Sequence, residues 1–120
     1  MMRAKMKFDN PFTDILMCFQ RMYGSIECYI QFDPSLPKGI GKTMGDIVFP
    51  FDGSAPVISI SSKISVDNAM EILIHELAHL KCGPMENHGK EWTKTFKAIV
   101  KQYNKETKEK AIQEGLKVKY

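Results

Sequence analysis

HELAHLKCGPMENHGKEW, residues 75–92, contains all three histidines of the chain, His75, His79 and His88. His75 and His79 are four apart, so on a helix both imidazoles leave the same face one turn apart. That spacing lets two neutral nitrogens reach one zinc ion at about 2.0–2.1 Å. Glu76 sits beside His75, close to such a metal yet angled away from ligating it. A carboxylate there can take a proton from water, the role of the glutamate in H-E-x-x-H sites. The bland alternative is three polar histidines on a partly exposed face with no metal, and the surrounding sequence decides between the two.

Working outward, Ala69 to Lys81 holds no glycine or proline, and Ser65 or Asp67 can cap its start. Leu73, Leu77 and Leu80 form one stripe, broadened by Ile72 and Ile74, so this segment reads as a buried helix carrying the motif. Cys82-Gly83-Pro84 ends it, because the residue before a proline is pushed out of helical geometry. A catalytic zinc needs a third protein ligand and an open fourth position. His88 is the one remaining histidine, nine residues past His79. At about 3.3 Å per extended residue this is ample to fold back over the helix. A further helix is expected from near Gly89, where Trp92, Phe96, Ile99, Val100 and Tyr103 recur at helical spacing. Trp92 then acts as a core anchor that sets the direction of His88.

The remaining chain supplies a modest scaffold. At 120 residues it is expected to be a single domain, residues 1–120. Asn10-Pro11 looks like an N-cap followed by proline at the first helical position, and Gly24 suits the matching stop. Phe12, Ile15, Leu16, Phe19 and Met22 lie between them at helical spacing. Strands are expected over Glu27 to Phe32, Asp46 to Phe51 and Val57 to Ile60, with residues 35–45 as a loop. Gly39-Ile40-Gly41-Lys42-Thr43 imitates the end of a phosphate-binding loop, but Leu36 stands where the first glycine is needed and no helix follows. The tail beyond Asn104 mixes Lys and Glu as a solvated helical face does.

Composition excludes several classes. The formal net charge of +3 is weak evidence for an anionic partner, since a dedicated nucleic-acid domain usually clusters its basic residues far more. No apolar run approaches the roughly 20 residues that span a bilayer, and Met1 to Lys7 is basic without an apolar segment after it. A cytoplasmic protein without membrane contact is expected. Cys18, Cys28 and Cys82 form no CxxC pair, which argues against a disulfide framework or a zinc ribbon.

The spacing excludes metzincins, which need glycine and histidine where this chain has Cys82 and Met85. A gluzincin-type glutamate, Glu91, is conceivable as ligand, but His88 is better placed. HELAHL followed by HGKEW resembles the SprT-like zinc metallopeptidases, whose signature is HExxH, a short spacer, then HGxx(W/F). The resemblance is specific over residues 56–103 and architectural before that. It implies an α+β fold: a zincin-like minimal core with an N-terminal helix, a small three-stranded sheet, the HExxH helix and a following helix with the third ligand. Carried over by position, it implies His75, His79 and His88 as zinc ligands, Glu76 as general base, and a protein or peptide substrate. It further implies that the strand at Val57 to Ile60 pairs with an extended substrate. The C-terminal zinc ribbon of many members has no counterpart in this cysteine pattern.

Two other readings stay open. Cys82, three residues past His79, could join the three histidines in a closed structural zinc site of a non-catalytic binding module. A DNA-tethered protease could use surface lysines such as Lys38, Lys42, Lys101 and Lys105, which the balanced charge supports weakly.

Overall fold

The computed structural model of the chain describes residues 10–25, 27–37, 42–84 and 88–113. Residues 1–9, Ile26, Lys38 with the rest of 38–41, Met85 with the rest of 85–87, and residues 114–120 lie outside the described set. Expectations that fell on them, including the basic N-terminal segment, Lys38 and the end of the tail, are therefore not followed further.

The first element is helix α1, Pro11–Tyr23. Asn10 caps it by accepting from the Phe12 and Thr13 N–H groups at 2.9 and 3.4 Å. Gly24 closes it at φ +89, donating its N–H to the Gln20 carbonyl. Three strands follow: β1 Tyr29–Asp33, β2 Gly45–Val48 and β3 Val57–Ser61. Helix α2, Val66–Cys82, is capped by Ser65, whose Oγ accepts from Asn68 N–H at 3.2 Å. Helix α3, Lys90–Gln113, completes the order. Among the described residues, three helices and a small mixed sheet make an α+β fold, as expected.

The strands lie in the order β1-β3-β2, with β3 parallel to β1 and antiparallel to β2. This corrects one expectation. The strand at Val57 to Ile60 was to offer its backbone to a substrate, but it is the central strand, hydrogen-bonded on both sides. Its apolar run explains why: Ile58 and Ile60 are fully buried, and a strand flanked by two neighbours has no edge left to share. Strand boundaries also move, two of them by more than one residue. Strand β1 begins at Tyr29 rather than Glu27, and β2 stops at Val48, just before Phe49-Pro50. A proline has no N–H to donate to the ladder, so pairing ends there.

Helix α2 is the hub. Ala69, Leu73, Ile74, Leu77, Ala78 and Leu80 are buried along it, and it packs against β2, β3, α1 and α3. Ile58 and Ile60 of the sheet, Ile15 and Phe19 of α1, and Ile99 of α3 join its side chains in one core cluster. Helices α1 and α3 are additionally tied by the Arg21–Glu106 ion pair. No helix among the described residues is long and apolar enough to cross a membrane.

Candidate metal centre

The C-terminal half of α2 carries His75 and His79, both half-buried, and Glu76, which is buried. Gly83, at φ +89, ends the helix by donating its N–H to the His79 carbonyl at 2.8 Å. The chain returns through His88, two residues before α3, with φ +51. A left-handed backbone is uncommon outside glycine, though histidine adopts it more readily than most residues. This one turns the imidazole back toward α2.

The result is a convergence of three Nε2 atoms. His88 Nε2 lies 2.9 Å from His79 Nε2 and 3.1 Å from His75 Nε2. A ring nitrogen carries either one hydrogen or one lone pair in its plane, so it makes one good hydrogen bond, not two. His88 Nε2 therefore cannot satisfy both neighbours with protons alone. A cation at the centre satisfies all three. The spacings are a few tenths of an ångström below the roughly 3.3 Å expected between nitrogens about 2.0–2.1 Å from one tetrahedral ion. The three residues form a cluster able to hold a metal ion.

Protonation states agree with that capacity. Burial, and then the nearby His79 and His88, hold His75 down to about 4, so it is neutral and ligand-competent at neutral pH. Trp92 supports the cluster from α3. Its ring centroid lies 4.7 Å from those of His75 and His88 and 5.4 Å from that of His79. Its indole N–H donates to the His75 carbonyl at 3.3 Å, and its far side stacks on Phe96. The expectation that Trp92 anchors the segment bearing His88 thus acquires a geometry: one indole holds both helices and touches all three imidazoles.

Glu76 points to the other wall of the site and is 5% exposed. Burial, and then the Asp46 carboxylate, push its carboxyl up to about 7. Gly45, at the start of β2, lies directly over it: a Cβ at Gly45 would stand 3.7 Å from Glu76 Oε2. Neither Gly45 nor Asp46 stood out in the sequence as part of the site. The only local signal was a Gly-Asp pair entering an apolar strand, which ordinarily marks a turn.

Cys82 ends α2 with its Sγ 3.6 Å from Thr95 Oγ1 on α3, and Thr95 in turn donates to the Glu91 carbonyl at 2.8 Å. The metal-competent cluster comprises the histidines and does not include this sulfur. Nor does Glu91 enter it. The histidines instead line a groove of about 740 Å³ together with Ile47, Phe49, Pro50, Phe51, Gly83 and Pro84. Comparison with family models, curated proteins and solved structures finds no match to this chain.

Proposed function

We propose that this chain is a zinc-dependent peptidase of the SprT-like type, with His75, His79 and His88 as the zinc ligands and Glu76 as the general base. One observation carries the reading. Three imidazole nitrogens meet at the floor of an open groove, and the buried carboxyl of Glu76 stands beside them on the same helix. All-histidine ligation with an open position suits zinc among the common divalent ions. When bound, zinc supplies Lewis-acid polarisation of a peptide carbonyl and acidifies water.

The chain's own groups then have separable tasks. Glu76 accepts the proton of the attacking water and returns it to the leaving amine. An acid whose affinity for protons is poised near neutrality can do both. A bound cation would draw that poise lower, favouring the ionised base. Strand β2 supplies the edge that β3 lacks: Gly45 to Ile47 line the groove, and no other strand among the described residues takes its outer side. An extended substrate backbone can add there by β-augmentation. The orientation of Cys82 toward Thr95 supports an open fourth position over a closed structural site.

The test is Glu76→Gln. The variant should bind one equivalent of zinc, measured by elemental analysis, and lose at least about 10²-fold in cleavage of an unfolded protein. Full cleavage by this variant would refute the mechanism.

A nucleic-acid partner is a second reading with its own observation. Lys90, Lys94, Lys97, Lys101, Lys105 and Lys108 are all exposed and recur at spacings of three and four along α3. They therefore form one stripe about 27 Å long, flanked by Glu91 and Glu109. Such a line of charge suits a phosphate backbone.

A further inference from the structure

The groove wall contributed by the segment after β2 is out of keeping with an ordinary surface. Phe51 is fully exposed, the extreme case among the large apolar side chains described. Leaving a phenylalanine in water forfeits about 1.5–3 kcal/mol relative to burying it. The turn that follows it is nevertheless fixed. Asp52 Oδ1 accepts from both the N–H and the hydroxyl of Ser54, at 3.0 and 2.6 Å, and Gly53 turns at φ +83. Phe49, two residues earlier, packs onto the main core and fixes that end of the segment. Pro84 lines the same groove. Among the described residues, and histidines aside, the charged side chains lining the groove are Asp46 and Glu76, both acidic.

Resting on the peptidase reading above, we propose that Phe51, with Phe49 and Pro84, forms a side-chain subsite for a bulky apolar residue next to the scissile bond. An apolar recess with a few converging polar groups is how small ligand sites are generally built. The Asp46 carboxylate disfavours aspartate or glutamate in the same position. Bulky apolar residues are mostly buried in folded proteins and accessible in unfolded ones. The subsite thereby directs the enzyme to unfolded or locally unfolded polypeptide without a separate recognition domain. Replacing a large apolar side chain by alanine removes several methylene-equivalents of contact, and one such group alone is worth about 10-fold or more.

Binding is measured on the zinc-loaded Glu76→Gln protein, by fluorescence anisotropy. The probes are labelled peptides identical except for one central residue, Phe, Leu, Ala or Glu. Phe and Leu peptides should bind at least about tenfold tighter than Ala, with Glu weakest. Adding Phe51→Ala should bring the Phe and Leu peptides close to the Ala value, with zinc content and the thermal midpoint unchanged. Equal binding of all four peptides, no binding of any, or an undiminished preference in Phe51→Ala overturns the subsite. Cleavage by the wild-type protein, mapped by mass spectrometry on an unfolded protein, separates the two readings. A binding preference without cleavage refutes the peptidase and keeps the subsite; cleavage without preference does the reverse.

Discussion

Single residues set the centre more than any element does. His88 sits at φ +51, a conformation that costs free energy for a side chain with a Cβ. Trp92, four residues on, packs against its imidazole with ring centroids 4.7 Å apart and ties α3 to α2 through the His75 carbonyl. Strain of this kind held by surrounding packing is common where side chains must converge. Cys82 illustrates the opposite case. Its spacing from His79 would let it join the ligands, yet its sulfur faces Thr95. Cys82→Ala is therefore expected to leave zinc affinity within about twofold, measured by competition with a chromophoric chelator. Loss of a true ligand or of a partner orienting one would cost about 10–100-fold or more.

At the scale of elements, the decisive contact is β2 against α2. A Cβ at Gly45 would stand 2.4 Å from Ile72 Cγ2 and 3.1 Å from the Ser59 carbonyl. Glycine is needed here for close approach, and its own φ is unremarkable. Gly45→Ala should destabilise the fold by about 1–3 kcal/mol, as overpacking does, read as a lowered urea midpoint. It should also depress activity beyond the stability loss, because the edge beside Glu76 is displaced. An unchanged midpoint would mean that β2 can stand off from α2 at no cost. Helix α3 offers the other element-scale expectation. If its lysine stripe meets nucleic acid, affinity for single-stranded DNA falls steeply with salt, and Lys97→Glu with Lys101→Glu flattens that slope by about one to two. A slope that the double variant leaves unchanged, or no binding at low salt, removes the DNA reading.

For the whole molecule, the site makes stability depend on pH when metal is absent. Glu76 is pushed up from 4.5 to about 7, so the folded chain keeps a proton that the unfolded chain releases. Its contribution is full below pH 4.5 and lost as pH rises toward 7. His75 is held down from 6.5 to about 4, so its contribution is full above 6.5 and lost as pH falls toward 4. The two slopes oppose each other between them. In chelator-treated protein, Glu76→Gln removes one slope. Its stability should then climb with pH up to 6.5 and gain on wild type by about 1–2 kcal/mol between pH 4 and 8, after allowance for solvent screening. Parallel urea-melt curves for the two proteins would refute the assignment. Local chemistry made the helices legible from sequence: Asn10-Pro11, Ser65 and the glycines at 24 and 83 mark their ends, and their apolar stripes mark their buried faces. The same locality placed His75, Glu76 and His79 on one turn and made His88 the natural third histidine. Strand order, the burial of β3 at the centre, and the approach of Gly45, Asp46 and Phe51 to the histidines were not legible. They depend on pairings between residues far apart in the chain, for which a short apolar run carries no address. The sequence by itself determined which groups could do the chemistry, because helical spacing is a local property. Only the tertiary structure decided which edge, which wall and which acidic neighbour face them, because those follow from packing three strands and three helices around one core.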